Sequence, residues 1–406
     1  MRVLVIGAGA VGSIIAKFLA QDKDIEGVIC GDISFKQARR FMVPDPKVAF
    51  KILDASQKDA VLAAAKGCGM LVSASLPKFN KHLMQIALDG NMHYVDMASH
   101  TLPNGRVEQS DLDGKFKEKN LIGLINVGAS PGVTNLMAKE LTAKLKRVDY
   151  VKIRLLEDVS SDVPFTAWSK VVFFEEFATP PLVWEGDKFT KFKSFAGEEI
   201  YDFPVPFMNE KCFLVLQEEV ETIPLYIKTK YVDLKIGGSE ARTANMFYKL
   251  GFMKTRPMKV GSVEVPPYEF SVRVWPDVLG LNSMKKLAAS GKLRNAHFWA
   301  VVEVAGLRDA RKRVYKAIIK FPSQTEVNKL YPGANFISYS AGFTAALFAL
   351  QIPKIERKGV FPPEALDDKT RDELIAKLGQ SGIKIEIVEN RTPPTEQKQA
   401  QKTAPA

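Results

Sequence analysis

Arg2-Val3-Leu4-Val5-Ile6-Gly7-Ala8-Gly9-Ala10-Val11-Gly12 begins the stretch that decides the fold, and Gly31-Asp32 ends it. Residues 2–6 are an apolar run with the length of one buried strand. Residues 7–12 read G-x-G-x-x-G, and Val11, Ile14, Ile15, Phe18 and Leu19 then recur at helical spacing. A second apolar strand, 28–30, runs into Asp32. Each residue has a physical task. Gly7 permits the tight strand-to-helix turn, and Gly9 lets a pyrophosphate approach the backbone. Gly12 lets helix pack closely on strand, and the N–H groups around Ala10 and Val11 face the phosphates. Asp32 lies about 20 residues beyond Gly12, where a carboxylate can accept both hydroxyls of an adenosine ribose. The pattern predicts dinucleotide binding by Gly7, Gly9, Ala10, Val11, Gly12, Asp32 and the adjoining Ile33.

Bulk properties limit the alternatives. A chain of 406 residues is too long for one core, so two or more domains are expected. It is 46% hydrophobic and 25% charged, as globular proteins are. The net charge of +11 comes from residues spread along the chain, with no basic run interleaved with aromatics. Nucleic acid is therefore not expected, while anionic ligands such as a dinucleotide or a carboxylate are favoured. Three cysteines without C-x-x-C predict a reduced, cytoplasmic protein, and four histidines without ligand spacing predict no metal site. No apolar run reaches the ~18 residues that span a bilayer, so no membrane partner is expected. A strand beginning at Arg2 leaves no room for a signal peptide.

Beyond Asp32, strands at 48–53, 70–73, 91–95 and 121–127 alternate with helices at 35–42, 58–66, 79–89 and 107–119. This order predicts a doubly wound parallel Rossmann sheet over 1–130. Ligands sit outside the carboxyl ends of such strands. That places Asp54 and Ala55 along the cofactor and the loop 73–78, with Ala74, Ser75 and Leu76, near its nicotinamide half; the 96–100 loop lies at the carboxyl end of the fifth strand. Asp32 favours NAD, while Lys36, Arg39 and Arg40 leave NADP open. A helix at 133–145 leads into 131–335, where strands at 151–155, 231–236, 298–304 and 313–320 mostly alternate apolar and polar. They predict an α/β domain with an antiparallel or mixed sheet. Residues 336–350 predict a buried helix, and Gly359–Glu364 a turn. A helix at 370–378 and a strand at 384–388 follow. Residues 391–406 are rich in Pro, Gln, Lys and Ala and predict a disordered tail.

As a set, these residues resemble the saccharopine dehydrogenase-like reductases, the group that includes lysine 6-dehydrogenase and carboxynorspermidine synthase. The resemblance rests on the glycines above, Tyr94-Val95-Asp96, Pro131-Gly132-Val133-Thr134-Asn135 and Phe165-Thr166-Ala167-Trp168-Ser169. It continues with Glu218-Glu219-Val220-Glu221-Thr222 and Gly359-Val360-Phe361-Pro362-Pro363-Glu364. It implies a substrate domain that also forms a homodimer, and a C-terminal segment, 336–390, that returns to the Rossmann domain. It also implies hydride transfer between a nicotinamide and the C–N carbon of a small amino-acid or opine-type substrate. Two alternatives stay open. One is oxidative deamination of a primary side-chain amine, as by lysine 6-dehydrogenase; the other is a dinucleotide sensor without chemistry. Ser130 stands where saccharopine reductases carry Asp, and Ser99-His100 near their Tyr.

Such chemistry needs a base near neutral pKa and groups that grip the substrate. His100, Asp96 and Lys78 are the candidate acid–base residues. Ser99, Ser130, Trp168, Glu219 and Arg242 are the candidate substrate contacts, with Glu221 and Arg154 as further possibilities. Each also has a structural reading as a cap, a core side chain or a surface ion pair.

Overall fold

The computed structural model describes residues 1–100, 102 and 105–390; the expected tail at 391–406 lies outside them. In chain order the first strands are β1 (Arg2–Ile6), β2 (Gly27–Asp32), β3 (Val48–Ile52), β4 (Cys68–Ser73), β5 (His93–Asp96) and β6 (Ile122–Leu124). Next come β7 (Arg147–Ser161), β8 (Leu182–Glu185), β9 (Lys188–Lys191), β10 (Glu199–Tyr201), β11 (Glu210–Leu214) and β12 (Tyr231–Gly237). The last are β13 (Met258–Val260), β14 (Val263–Val265), β15 (Leu293–Arg308), β16 (Arg311–Lys320), β17 (Gly359–Phe361) and β18 (Lys384–Asn390).

Six of these form a parallel sheet in the doubly wound order β6-β5-β4-β1-β2-β3, and β17 adds itself beyond β6. All but the edge strand β3 are buried on both faces, because helices cover both. Val3, Val5, Val28, Val72 and Val95 point to one core, while Leu4, Ile6, Ile29, Leu71 and Tyr94 point to the other. A second, mixed sheet runs β10-β11-β12-β7-β15-β16-β18, with β12 parallel to β7 and the remaining neighbours antiparallel. One face, from Val151, Ile153, Val232, Leu234, Val302 and Ile319, merges with the first sheet's core.

The helix Phe336–Gln351 joins the two layers. Phe18, on the first helix (Ala10–Gln21), meets Phe343 edge-on at 4.9 Å. A Cβ at Gly342 would lie 2.7 Å from the Ile14 side chain, so only glycine allows this approach. By length and composition, Phe336–Lys354 is apolar enough to cross a bilayer, which corrects the expectation that no such run exists. It is mostly buried in the protein, as a core helix is.

Three further expectations need correction. Gly359–Phe361 is a strand and not part of a turn, because β6 offers it a parallel edge. Of the segment 336–390, expected to return to the Rossmann domain, β17 extends the first sheet while residues 384–390 pair antiparallel with β16. The helix expected at 35–42 is confined to Phe35–Ala38, beyond which the Arg40 carbonyl accepts the Leu281 N–H at 2.8 Å.

Candidate active site

The cofactor cradle follows from the glycines. Gly7 sits at φ +100° and donates its N–H to the Gly31 carbonyl at 2.7 Å, and a Cβ on it would come within 2.5 Å of the Ala74 carbonyl oxygen. A Cβ on Gly12 would strike the Gly7 carbonyl oxygen at 1.8 Å. Around Gly9 there is open space, with nothing within 4 Å of its would-be Cβ. Gly9 caps the Ala10–Gln21 helix, whose first N–H groups have no partner within the helix. The arrangement admits a diphosphate at that end. Asp32 accepts the Ala8 N–H at 2.8 Å and the Ser34 N–H at 3.1 Å, one on each oxygen. Each carboxylate oxygen keeps a lone pair for a ribose hydroxyl. Ile33 and Ile52 are exposed beside it, apolar surface suited to an adenine face. A nicotinamide dinucleotide therefore fits, and it would supply hydride acceptance or donation.

Arg40 is committed elsewhere, to the Val278 carbonyl at 2.7 Å and the Gln37 side chain at 2.6 Å. Arg39 lies over the Phe35 ring and is exposed, as is Lys36. Asp54 is exposed and occupied by Ser56, whereas Ala55 is buried behind it.

At the other end of the parallel sheet a hydrogen-bonded ladder ties successive loops together. Ser73 Oγ, at the end of β4, lies 3.0 Å from Ser75 Oγ and donates to Asn80 Oδ1 at 3.0 Å; Asn80 Nδ2 donates to the Ala98 carbonyl at 2.6 Å. Asp96, ending β5, accepts the Asn126 N–H at 2.9 Å and Gln109 Nε2 at 3.0 Å. Gln109 also donates to Ser99 Oγ at 2.9 Å, and Ser99 Oγ donates to Asn126 Oδ1 at 2.6 Å. Ser99 then donates its own N–H to Glu218 Oε1 at 2.8 Å, crossing to the second domain.

There the helix Glu219–Tyr226 closes against the Pro-Gly turn. Glu219 Oε1 accepts Ser130 Oγ at 2.5 Å and Thr134 Oγ1 at 2.7 Å. The turn itself demands glycine: Gly132 has φ +132°, and its Cβ would lie 2.0 Å from the Gly128 carbonyl oxygen. Glu364, from the Gly-Val-Phe-Pro-Pro-Glu segment, accepts Asn135 Nδ2 at 2.8 Å and Thr222 Oγ1 at 2.6 Å. Three distant parts of the chain thus meet below the site.

Around Glu218 stand further carboxyl groups. Gln217 holds Glu176, and the Trp168 side chain hydrogen-bonds Glu157. Burial, then the neighbouring Glu240, pushes Glu157 up to about 8. Burial, then Glu219, pushes Glu218 up to about 8, and burial together with Asp158 pushes Glu240 up to about 7. Glu176 is raised by burial and by Glu157, Glu218 and Glu219. Asp96 is pushed up to about 7 by burial against its donors. Burial and like charge both favour the protonated form of these acids.

Residues 3–124 match the family described as saccharopine dehydrogenase NADP binding domain. Carboxyaminopropylagmatine dehydrogenase of Synechocystis sp. is 24% identical over 94% of this chain and 96% of its own length. Carboxynorspermidine synthase of Vibrio alginolyticus is 22% identical over 93% and 95%. Among solved structures, saccharopine dehydrogenase (L-Glu forming) of Saccharomyces cerevisiae aligns with a TM-score of 0.67 at 13% identity, covering 96% of this chain and 99% of that one. The homospermidine synthase of Legionella pneumophila, solved in complex with NAD, aligns with a TM-score of 0.64 at 14% identity, covering 100% and 94%. Over its whole length this chain is similar to saccharopine dehydrogenase-like NAD(P) oxidoreductases.

Within this structure the expected residues separate into groups. Ser99, Ser130, Trp168 and Glu219 gather at the junction of the two sheets. Asp96 is fully buried with both oxygens taken, so it braces the loop from beneath. Glu221 is also buried and is not a helix-surface acid. Lys78 is exposed over the Phe79 ring, and the His100 side chain is exposed at the loop's outer end. Arg242 is half-exposed and pairs with Glu210 at 2.5 Å and Asp158 at 3.4 Å. Arg154 is buried on the far face of the second sheet, paired with Asp233 and Glu199, and so is not open to a substrate carboxylate. Glu157, Glu176, Glu218 and Glu240 were not singled out from the sequence. Their signal was there: Glu157 follows Leu155-Leu156 at the inner part of a strand, and Glu176 lies within Phe-Phe-Glu-Glu-Phe. A carboxylate inside an apolar stripe needs a reason to be buried.

Proposed function

We propose that this enzyme transfers hydride between a nicotinamide cofactor and the C–N carbon of a carboxylated polyamine, a secondary amine joining an amino-acid end to a cationic end. The observation that carries this reading is the group Glu157, Glu176, Glu218 and Glu240, which meets the loop after β5 through Glu218 and Ser99. Burial and neighbouring carboxyl groups raise all four, and among the described residues no lysine or arginine offsets the effect. A polycation supplies the missing charge. Carboxyaminopropylagmatine and carboxynorspermidine, in the relatives' names, have that chemistry. Saccharopine joins two amino-acid skeletons and brings carboxylates at both ends, which these acids would repel. A spectrophotometric panel at the reduced-nicotinamide band tests the reading. The kcat/KM for carboxynorspermidine should exceed those for saccharopine and lysine by about 100-fold, the worth of one lost charged pairing. Faster turnover of saccharopine or lysine would sink it.

Asp32 directs the cofactor choice toward NAD, by accepting the ribose hydroxyls and repelling a 2′-phosphate. Asp32→Ala should cost about 1.5–3 kcal/mol of NAD affinity, roughly 10- to 100-fold, with a much smaller effect on NADP. Calorimetric titration measures both, and equal losses would overturn the ribose role. We further assign a cytoplasmic homodimer. The three cysteines are free and buried, as reducing conditions allow, and Met246, Leu250, Met258, Val260 and Phe270 leave apolar surface exposed for a second subunit.

A further inference from the structure

Five acids stand near the loop after β5, and their hydrogen bonds separate them. Asp96 is fully buried, with both oxygens occupied by Asn126 and Gln109. Glu219 is fully buried and holds Ser130 and Thr134. Gln217 holds Glu176, and Trp168 holds Glu157. Glu218 differs. Like Glu176 it is only half-buried, but its Oε1 takes the N–H of Ser99, three residues past the carboxyl end of β5. That edge of a doubly wound sheet is where the reacting end of a dinucleotide lies. The ladder from Asp96 through Gln109, Asn126 and Ser99 fixes the loop that holds Glu218 there.

We propose that Glu218 is the proton-transfer residue of the reaction. The inference rests on the carboxylated-polyamine reading above. In the reductive direction a primary amine has added to an aldehyde carbon. Glu218 gives its proton to the carbinolamine hydroxyl, the C–O bond breaks and water leaves, and the nitrogen lone pair forms the C=N bond. Hydride from the reduced nicotinamide then closes the carbon. In oxidation the steps reverse, and the Glu218 carboxylate takes a proton from the attacking water. The groups facing it are Glu219 on its own helix, Glu176 on the helix Lys170–Ala178, and Asp96 at the end of β5. With burial, the neighbouring acids keep its proton available near neutral pH.

The test uses the intact protein, NAD or NADP, and carboxynorspermidine. Glu218→Gln should lower kcat by about 10²- to 10⁴-fold, the range of one general acid–base group. KM and the calorimetric affinity for the dinucleotide should stay within about threefold, because Glu218 lies beyond the cradle formed by Gly7, Gly9 and Asp32. Wild-type kcat for oxidation should rise with pH through about 8, and Glu218→Gln should lose that limb. Glu218→Asp should keep the limb with a reduced kcat, and it decides the matter if the glutamine variant fails to bind dinucleotide. Retention of kcat and the pH limb in Glu218→Gln overturns this role and leaves the substrate reading standing. No turnover in the wild type removes both.

Discussion

Arg154→Met should destabilise the protein by about 3–5 kcal/mol, as loss of one partner from a buried ion pair does. Arg154 and Asp233 are each only 1% exposed. The guanidinium grips Asp233 through two nitrogens, at 2.8 and 3.1 Å, and reaches Glu199 at 2.9 Å. Tyr231 donates to the same aspartate at 3.1 Å, and Lys235 meets Glu199 at 2.6 Å. Removing the cation leaves a carboxylate in the sheet with too few donors and no water. Urea unfolding followed by circular dichroism measures the loss. The double variant Arg154→Met, Asp233→Leu should regain most of it, because no charge is then stranded. A single variant as stable as the parent would contradict the network's role.

Gly12→Val should weaken dinucleotide binding by about 100-fold and destabilise the first domain by about 3 kcal/mol, the upper range for overpacking. The first Cβ already lies 1.8 Å from a backbone oxygen and 2.9 Å from Ala74 Cβ. Backbone cannot give way as a flexible side chain can. The helix Ala10–Gln21 must therefore lift away from β1 and carry its N–H groups off the diphosphate position. Gly9→Ala meets open protein space and serves as the contrast: stability should hold, while affinity falls because the methyl occupies ligand volume. Calorimetric titration together with thermal unfolding separates the two. If Gly12→Val bound NAD like the parent, the account of the cradle would be wrong.

These effects follow the parts that the sequence made legible. The Rossmann half could be read because each strand is a continuous apolar run and the glycines occupy positions with one geometric solution. The second sheet was legible only through its long strands, and even β7 and β15 extend well past the residues that alternate. β8 to β11 are three to five residues long and owe their state to neighbours far along the chain. β17 was hidden for the same reason, since three residues before two prolines carry no strand signal until β6 supplies an edge. At the candidate site, Trp168, Ser130 and Glu219 are motif positions that the fold brings together. Glu218 was passed over because its neighbours in Glu-Glu-Val-Glu looked alike, and only burial and the bond to Ser99 tell them apart.

Proton exchange on binding of a cationic amine tests the acidic cleft most directly. Near pH 7 a carboxyl group pushed up to about 8, as Glu157 and Glu218 are, still holds its proton for most of the time. A bound ammonium stabilises the ionised form, lowers that value and drives the proton into solution. Norspermidine should be titrated calorimetrically into the NAD-saturated protein at pH 7, in phosphate and in Tris, whose ionisation heats differ. A net release of about one proton or more per amine bound is the predicted result. Binding with no proton exchange, or with uptake, would contradict the account.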